Sequence, residues 1–526
     1  MGAYARRKAR TIAVTRQHLL LLALLLASLA VARAAPAPEG TATVPRFESA
    51  PCPAMPIKAL ANARCGYLVV PEDRSRPEGR SIRLIVAIIP ALSARPEPDP
   101  VVYLVGGPGG IALGEADLVV AAGFNRDRDL VLMNQRGTYF SEPALSCASI
   151  DEFNRELLGL RFYAESTKRA HLAATEACHR ALAATGAELS AYNSSESAAD
   201  FADLRSVLGY AKWNVLGVSY GTYLAQTLMG DHPEGIRSVV LDSTVPLTVT
   251  IPEFWLNARA GFDHLFRACA AEAACDAAHP RLEKTFTGLV NKLEVEPLTA
   301  MVSDPATSED VKVVLDGGAL VDWLRNQSYS TPLLRDVPDL IGGLAAGQPG
   351  AIAAIAKDRD AGAPRPGPGV PSAGYGLGFG VVCREWYPLA TQEDLVAAGR
   401  QAFPLYPASL QDEAVGTWAY ANEDCRDMWK VPAAPATVRQ PPASSIPTLL
   451  ISGSFDAVTS LDWTKTAAAS LSNATIVSIS GIGHFVSPES QCAQAVIASF
   501  LADPDAPDTS CVGALKPPSF TSRASP

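Results

Sequence analysis

The 526 residues are 48% hydrophobic, 19% charged and 7% aromatic. That mix is too apolar for a disordered chain and too varied for a polytopic membrane protein. With 44 Lys and Arg against 54 Asp and Glu the formal net charge is −10, and no basic stripe stands out, which argues against a nucleic-acid partner.

Arg6, Arg7, Lys8, Arg10 and Arg16 precede an apolar run, Leu19–Ala32, that ends in Ala32-Arg33-Ala34. A basic start, an apolar stretch and a small-x-small site predict a secretory signal peptide over residues 1–34. The run is too short for a membrane anchor, since about 20 apolar residues are needed to cross the hydrocarbon core. After cleavage no stable membrane span is expected, and the destination is periplasmic or extracellular.

Export gives the cysteines a reading. There are ten, all beyond residue 34: Cys52, Cys65, Cys147, Cys178, Cys269, Cys275, Cys383, Cys425, Cys492 and Cys511. In an oxidising compartment an even count reads as disulfides. No Cys-x-x-Cys pair occurs and the His residues do not cluster with them, so metal binding is disfavoured. Neighbour pairing along the chain is the expectation (52–65, 147–178, 269–275, 383–425, 492–511), although sequence alone does not fix connectivity.

In chain order, residues 35–62 are Pro- and Ala-rich and read as irregular. Strand-like runs follow at 65–70, 81–90, 101–105 and 129–133, the third stopped by Gly106-Gly107-Pro108-Gly109-Gly110 and the fourth by Asn134-Gln135-Arg136-Gly137. Short continuous apolar runs suit strands buried on both faces of a parallel sheet. A helical pattern over 197–210 leads to a strand at 213–217, a helix at 221–229 and a strand at 237–241. From about residue 247 the alternation gives way to a mostly helical pattern, interrupted by a Gly/Pro stretch at 361–374. A Pro-rich segment at 432–447 leads back to a strand at 448–452, a helix near 461–471, a strand at 475–480 and a helix at 489–502. The chain therefore divides into a first core segment (60–246), a helical cap insertion (247–445), a second core segment (446–511) and a tail (512–526). The fold class is α/β, one mostly parallel sheet with helices on both faces.

Gly217-Val218-Ser219-Tyr220-Gly221 lies between a predicted strand and a predicted helix. Small residues on both sides permit a tight turn that lifts the serine Oγ above the sheet. The same turn sets the Tyr220 N–H at a helix N-terminus, where it can meet developing negative charge. A serine needs a base, and the base an orienting acid. Asp456 follows one late strand and His484 the next, both on the edge that carries Ser219. Asp242, also after a strand, is the runner-up acid. The order Ser, acid, His is that of α/β hydrolases and excludes the trypsin-like and subtilisin-like orders. A second oxyanion donor is expected from the glycine loop, with Gly107 favoured because glycines let backbone N–H groups approach a substrate closely.

Together these motifs, from Gly-Gly-Pro-Gly through Asn-Gln-Arg-Gly and Gly-Val-Ser-Tyr-Gly to the Asp456 and His484 loops, resemble the proline iminopeptidase and secreted tripeptidyl aminopeptidase branch of the α/β hydrolases. The resemblance runs from about residue 60 to 511. Two positions depart from the iminopeptidase pattern: Val105 replaces the usual His before Gly-Gly-Pro-Gly, and Asn134 replaces the usual Asp before Gln-Arg-Gly. The resemblance implies that carboxylates of the insertion hold a substrate amino terminus; Glu385, and Glu423 or Asp424 beside Cys425, are the expected residues. It also implies an exported serine aminopeptidase acting through Ser219, His484 and Asp456, with Gly107 and Tyr220 as oxyanion donors and a peptide as substrate. No metal or organic cofactor is implied, and the oligomeric state is open. A carboxylesterase or lipase on the same residues, taking a small ester under the insertion as a lid, is the rival. An inactive binding protein on a hydrolase scaffold is the remaining alternative.

Overall fold

The computed structural model describes residues 44–303, 308–362, 373–516 and 519–520. The expected signal peptide, much of the 361–374 stretch and the end of the tail lie outside the described residues.

Nine strands form the central sheet: β1 (Arg46–Ser49), β2 (Arg64–Pro71), β3 (Ser81–Ile89), β4 (Glu97–Leu104), β5 (Arg128–Met133), β6 (Trp213–Val218), β7 (Ile236–Asp242), and, after the two strands of a separate hairpin, β10 (Thr448–Gly453) and β11 (Ala474–Ile479). Their spatial order is β1-β2-β3-β5-β4-β6-β7-β10-β11. The first four pair antiparallel, and from β5 onward every pairing is parallel. Alternate residues of each strand feed opposite faces. Val102, Leu104, Val215 and Leu241 pack into one apolar cluster, while Val101, Tyr103, Leu216 and Val240 pack into the other. Burial on both faces is why these strands read as unbroken apolar runs.

The insertion between β7 and β10 is largely helical, as expected, but it also contains an antiparallel hairpin, β8 (Leu298–Ser303) with β9 (Asp310–Leu315). β8 shows its side chains mostly outward, with Met301 exposed, so it lacks the apolar run by which the core strands announce themselves. Two helices of the insertion matter most below: Gly317–Asn326, which runs through a single 3-10 turn, Gln327–Tyr329, into Thr331–Ala345. The five disulfides are the five neighbour pairs: 52–65, 147–178, 269–275, 383–425 and 492–511.

Candidate active site

Ser219 sits between β6 and the helix Tyr220–Asp231 with φ 56° and ψ −125°. A non-glycine residue held there stores about 1–3 kcal/mol of backbone strain, which the surrounding structure must offset. The glycines bracketing it are required by close approach: a Cβ on Gly221 would stand 1.9 Å from the Leu104 carbonyl oxygen. The glycine loop after β4 lies against the serine, since a Cβ on Gly106 would fall 3.4 Å from Ser219 Oγ. Among the described residues, neither the Gly107 nor the Tyr220 N–H donates to a backbone acceptor.

His484 and Asp456, from the loops after β11 and β10, meet directly: Nδ1 of the imidazole lies 2.8 Å from Asp456 Oδ2. Both side chains are buried. Asp456 Oδ1 accepts the Val458 and Thr459 N–H groups at 2.8 Å each, and the Thr459 hydroxyl donates to Oδ2 at 2.7 Å. Burial alone would raise this carboxyl; the charge and hydrogen bond of His484 and the Thr459 donors outweigh it and hold Asp456 below the usual carboxylate range. The His484 N–H donates to the Ser328 carbonyl, and the Tyr329 ring packs edge-on to the imidazole with centroids 5.0 Å apart.

Asp242 is the acid that does not face the imidazole. Its oxygens accept the Val486 and Ser487 N–H groups at 2.9 and 2.8 Å, at the start of the turn that follows His484. Its own carbonyl accepts the Ser219 N–H at 3.0 Å. Asp242 thus braces the serine turn to the histidine loop, and burial raises its carboxyl above the usual range. Asn134 and Gln135 brace the glycine loop: Asn134 Oδ1 accepts the Leu113 N–H, and the Gln135 amide donates to the Val105 carbonyl. Arg136, wholly buried, grips Asp200 with two hydrogen bonds of 2.8 Å.

The acids expected to face a substrate ammonium have protein partners, while Glu423 Oε2 and Asp424 Oδ1 are buried with no hydrogen-bond partner among the described residues. Glu385 is 1% exposed and places both oxygens on Ser194, accepting its N–H at 2.8 Å and its hydroxyl at 2.7 Å. Ser194 opens the helix Ser194–Val207, so the carboxylate satisfies one free N–H at the positive end of a helix. Glu423 pairs with Lys168, which also holds Glu413 at 2.8 Å. Asp424 accepts from or pairs with His171 Nε2 at 2.7 Å. The Cys383–Cys425 bridge does join the two π-helical turns that carry Glu385 and Asp424, but the carboxylates turn to different partners.

What the sequence reading missed is a cavity of about 480 Å³ between the insertion and the helices of residues 153–171. Asp322, Trp323, Asn326 and Gln327 line it from the helix Gly317–Asn326 and the turn after it; Tyr329, which lines it too, is the residue packed on His484. The spacing of 322, 323, 326 and 327 puts them on one helical face. Asp358 and Arg359 line it from another helix. Burial raises the Asp322 carboxyl, against the pull of Arg359, Arg325 and the Asn326 hydrogen bond. Gln327 Oε1 is buried with no hydrogen-bond partner among the described residues. The only available sequence signal was polar residues at helical spacing in an otherwise buried helix.

A serine on a strained strand-to-helix turn, beside free backbone N–H groups and on the sheet edge that holds a buried His–Asp pair, defines a serine hydrolase. Residues 99–491 match the alpha/beta hydrolase fold family, and the chain belongs to it. It is similar to the serine protease Hip1 of Mycobacterium tuberculosis, 26% identical over 428 residues that cover 77% of this chain and 78% of that one. It is 34% identical over 194 residues to the tripeptidyl aminopeptidase of Streptomyces coelicolor, 35% of each chain. It is also 26% identical over 471 residues to carboxylesterase B of Mycobacterium tuberculosis, 86% of each. The first two agree with the peptidase branch that the sequence motifs resemble.

Proposed function

We propose that this protein is an exported aminopeptidase that cleaves peptides from a free amino terminus. Ser219 Oγ attacks the scissile carbonyl while His484 takes its proton. Asp456, accepting from Nδ1, keeps the other imidazole nitrogen free to act as base and stabilises the imidazolium that forms. The Gly107 and Tyr220 N–H groups receive the oxyanion. The imidazolium then protonates the leaving amine, and water, activated by the same base, releases the acyl group from Ser219. The exported setting is supported by the five disulfides and by the expected leader; no described helix is long and apolar enough to cross a membrane.

The observation that carries the aminopeptidase reading is the acid-bearing cavity at Tyr329, next to His484. Asp322 takes the role expected of Glu385 and Glu423. An ammonium held there by a carboxylate makes a charge-assisted pair. The orphan Gln327 Oε1 offers one more acceptor to the same N–H fork.

The test offers purified protein free and N-acetylated forms of the same mono-, di- and tripeptide chromogenic substrates, beside a short-chain ester. Turnover of the free-amine peptides alone supports the reading. Equal turnover of the acetylated forms refutes it. A carboxylesterase is the second reading, favoured by the relative that covers 86% of this chain; ester turnover without peptide cleavage would establish it.

A further inference from the structure

We infer that the cavity between the insertion and residues 153–171 selects a large apolar side chain, aromatic or branched aliphatic, on the residue that carries the free amino group. This rests on the aminopeptidase reading and adds the substrate class. Three features of the cavity lead to it. Its walls are built from Phe153, Leu157, Phe162, Trp323, Tyr375 and Tyr420, drawn from segments far apart in the chain. Its carboxylates, Asp322 and Asp358, lie with Asn326, Gln327 and Arg359, while Asn154 and His171 stand among the rings, on the Tyr375 hydroxyl and against Phe153. An amino terminus anchored on those acceptors leaves its own side chain among the aromatic rings, and a site of mostly apolar walls with a few converging polar groups is how small ligands are bound and oriented.

The walls are fixed in place. The Tyr375 hydroxyl is held by the Asp151 carboxylate at 3.1 Å and the Tyr420 hydroxyl donates to the Phe162 carbonyl at 2.7 Å. His171, also in the wall, is held by the buried Asp424 and packs edge-on to the Phe153 ring with centroids 5.2 Å apart. Side chains tied down by hydrogen bonds cannot collapse into the space, so a small substrate residue leaves a gap while a large one fills it. Asp424 thereby acts on the cavity indirectly, through His171.

In an apolar pocket one methylene is worth about 10- to 200-fold in discrimination. For substrates with a common leaving group, kcat/KM is therefore expected to be at least ~30-fold higher with Phe or Leu than with Ala at the amino-terminal position. The test pairs this series with Leu157→Trp, a half-buried wall position at which a larger ring projects into the cavity. The expected result is a loss of about 10-fold or more for the Phe and Leu substrates with the Ala substrate nearly unchanged, so that the ratio between them collapses. A general folding defect would lower all three together, and Leu157→Phe, a smaller intrusion, is measured beside it to give a graded ratio. A flat series in the wild type, or a ratio indifferent to both substitutions, overturns the inference while leaving free-amine cleavage standing. Absence of any free-amine peptide turnover, with esters cleaved, overturns both.

Discussion

Replacing Asp456 by Asn tests the acid at the level of single lone pairs. In the wild type Oδ1 accepts two backbone N–H groups, from Val458 and Thr459, at 2.8 Å each, while Oδ2 faces His484 Nδ1 at 2.8 Å and the Thr459 hydroxyl at 2.7 Å. An asparagine must put its carbonyl where Oδ1 is. The opposite placement would aim an NH2 at two buried N–H donors and leave both unsatisfied, at about 1–3 kcal/mol each. The NH2 then points at Nδ1, which has to accept, so the imidazole proton moves to Nε2. That nitrogen can no longer take a proton from Ser219. In the Ser-His-Asp template this wrong tautomer costs about 10⁴ in kcat, which is about 5.4 kcal/mol of barrier. Folding should suffer far less, by ~1 kcal/mol, because the Thr459 hydroxyl can rotate to accept from the new NH2. The assay is kcat/KM on a free-amine chromogenic peptide together with a thermal melt. A folded variant retaining activity within tenfold of the wild type would refute the assignment of Asp456 and the tautomer argument together.

The other predictions follow from the same contacts. Ser219→Ala should abolish turnover while the protein still melts cooperatively, as read by a chromogenic assay and circular dichroism. Asp242→Asn should lower stability by about 2 kcal/mol in chemical denaturation, because one of the Val486 and Ser487 N–H groups then faces an NH2 and is left unsatisfied; this contrasts with Asp456→Asn, whose main cost is catalytic. Asp322→Asn should raise KM for free-amine substrates about tenfold or more and leave ester turnover nearly unchanged, by the loss of a charge-assisted pair. Because burial raises the Asp322 carboxyl, it protonates and loses its hold on an ammonium at a higher pH than an ordinary Asp. KM should therefore climb as pH falls through that range in the wild type, and the climb should vanish in Asp322→Asn. Burial likewise pushes Glu413 up to about 6 against Lys168. The folded state then binds this proton more tightly than the unfolded state, so its stabilising effect is present below about pH 4.5 and fades as pH rises to about 6, by ~2 kcal/mol. Denaturation across that window should show the decline, and Glu413→Gln should flatten it.

Much of this was legible in the sequence because the constraints are local. Val101–Val105 reads as a strand because both faces of β4 are buried, so every position must be apolar. Gly217 to Gly221 reads as a nucleophile turn because its geometry forbids side chains on either flank. Asp456 and His484 stand just past strands, where the ends of adjacent β10 and β11 bring them together. The four-residue edge strand β1 is different: it takes its register from β2, with Arg46 opposite Val69, and nothing in its own residues announces a strand. The β8–β9 hairpin likewise owes its form to its partner and to the helices it lies on.

The misplaced acids show the limit more sharply. Glu385, Asp242, Asp456 and Asp322 are all carboxylates of buried or cavity-lining positions, and charge and neighbouring residues do not separate them. Occupancy of their lone pairs does. Glu385 gives both oxygens to Ser194, 191 residues away along the chain. Asp242 gives its oxygens to two backbone N–H groups of the histidine loop. Asp456 divides its oxygens between backbone and imidazole, the arrangement that orienting a base requires. Asp322 meets Asn326 at 3.1 Å, feels the charges of Arg359 and Arg325, and borders the cavity. A buried carboxylate held by fixed donors on both oxygens is a structural brace, whereas one that borders a cavity has acceptor sites left for a mobile cation or for water. The family resemblance marked Glu385 as a candidate for substrate contact, and the fold carries it to the start of the Ser194 helix, where each of its oxygens accepts a donor from Ser194.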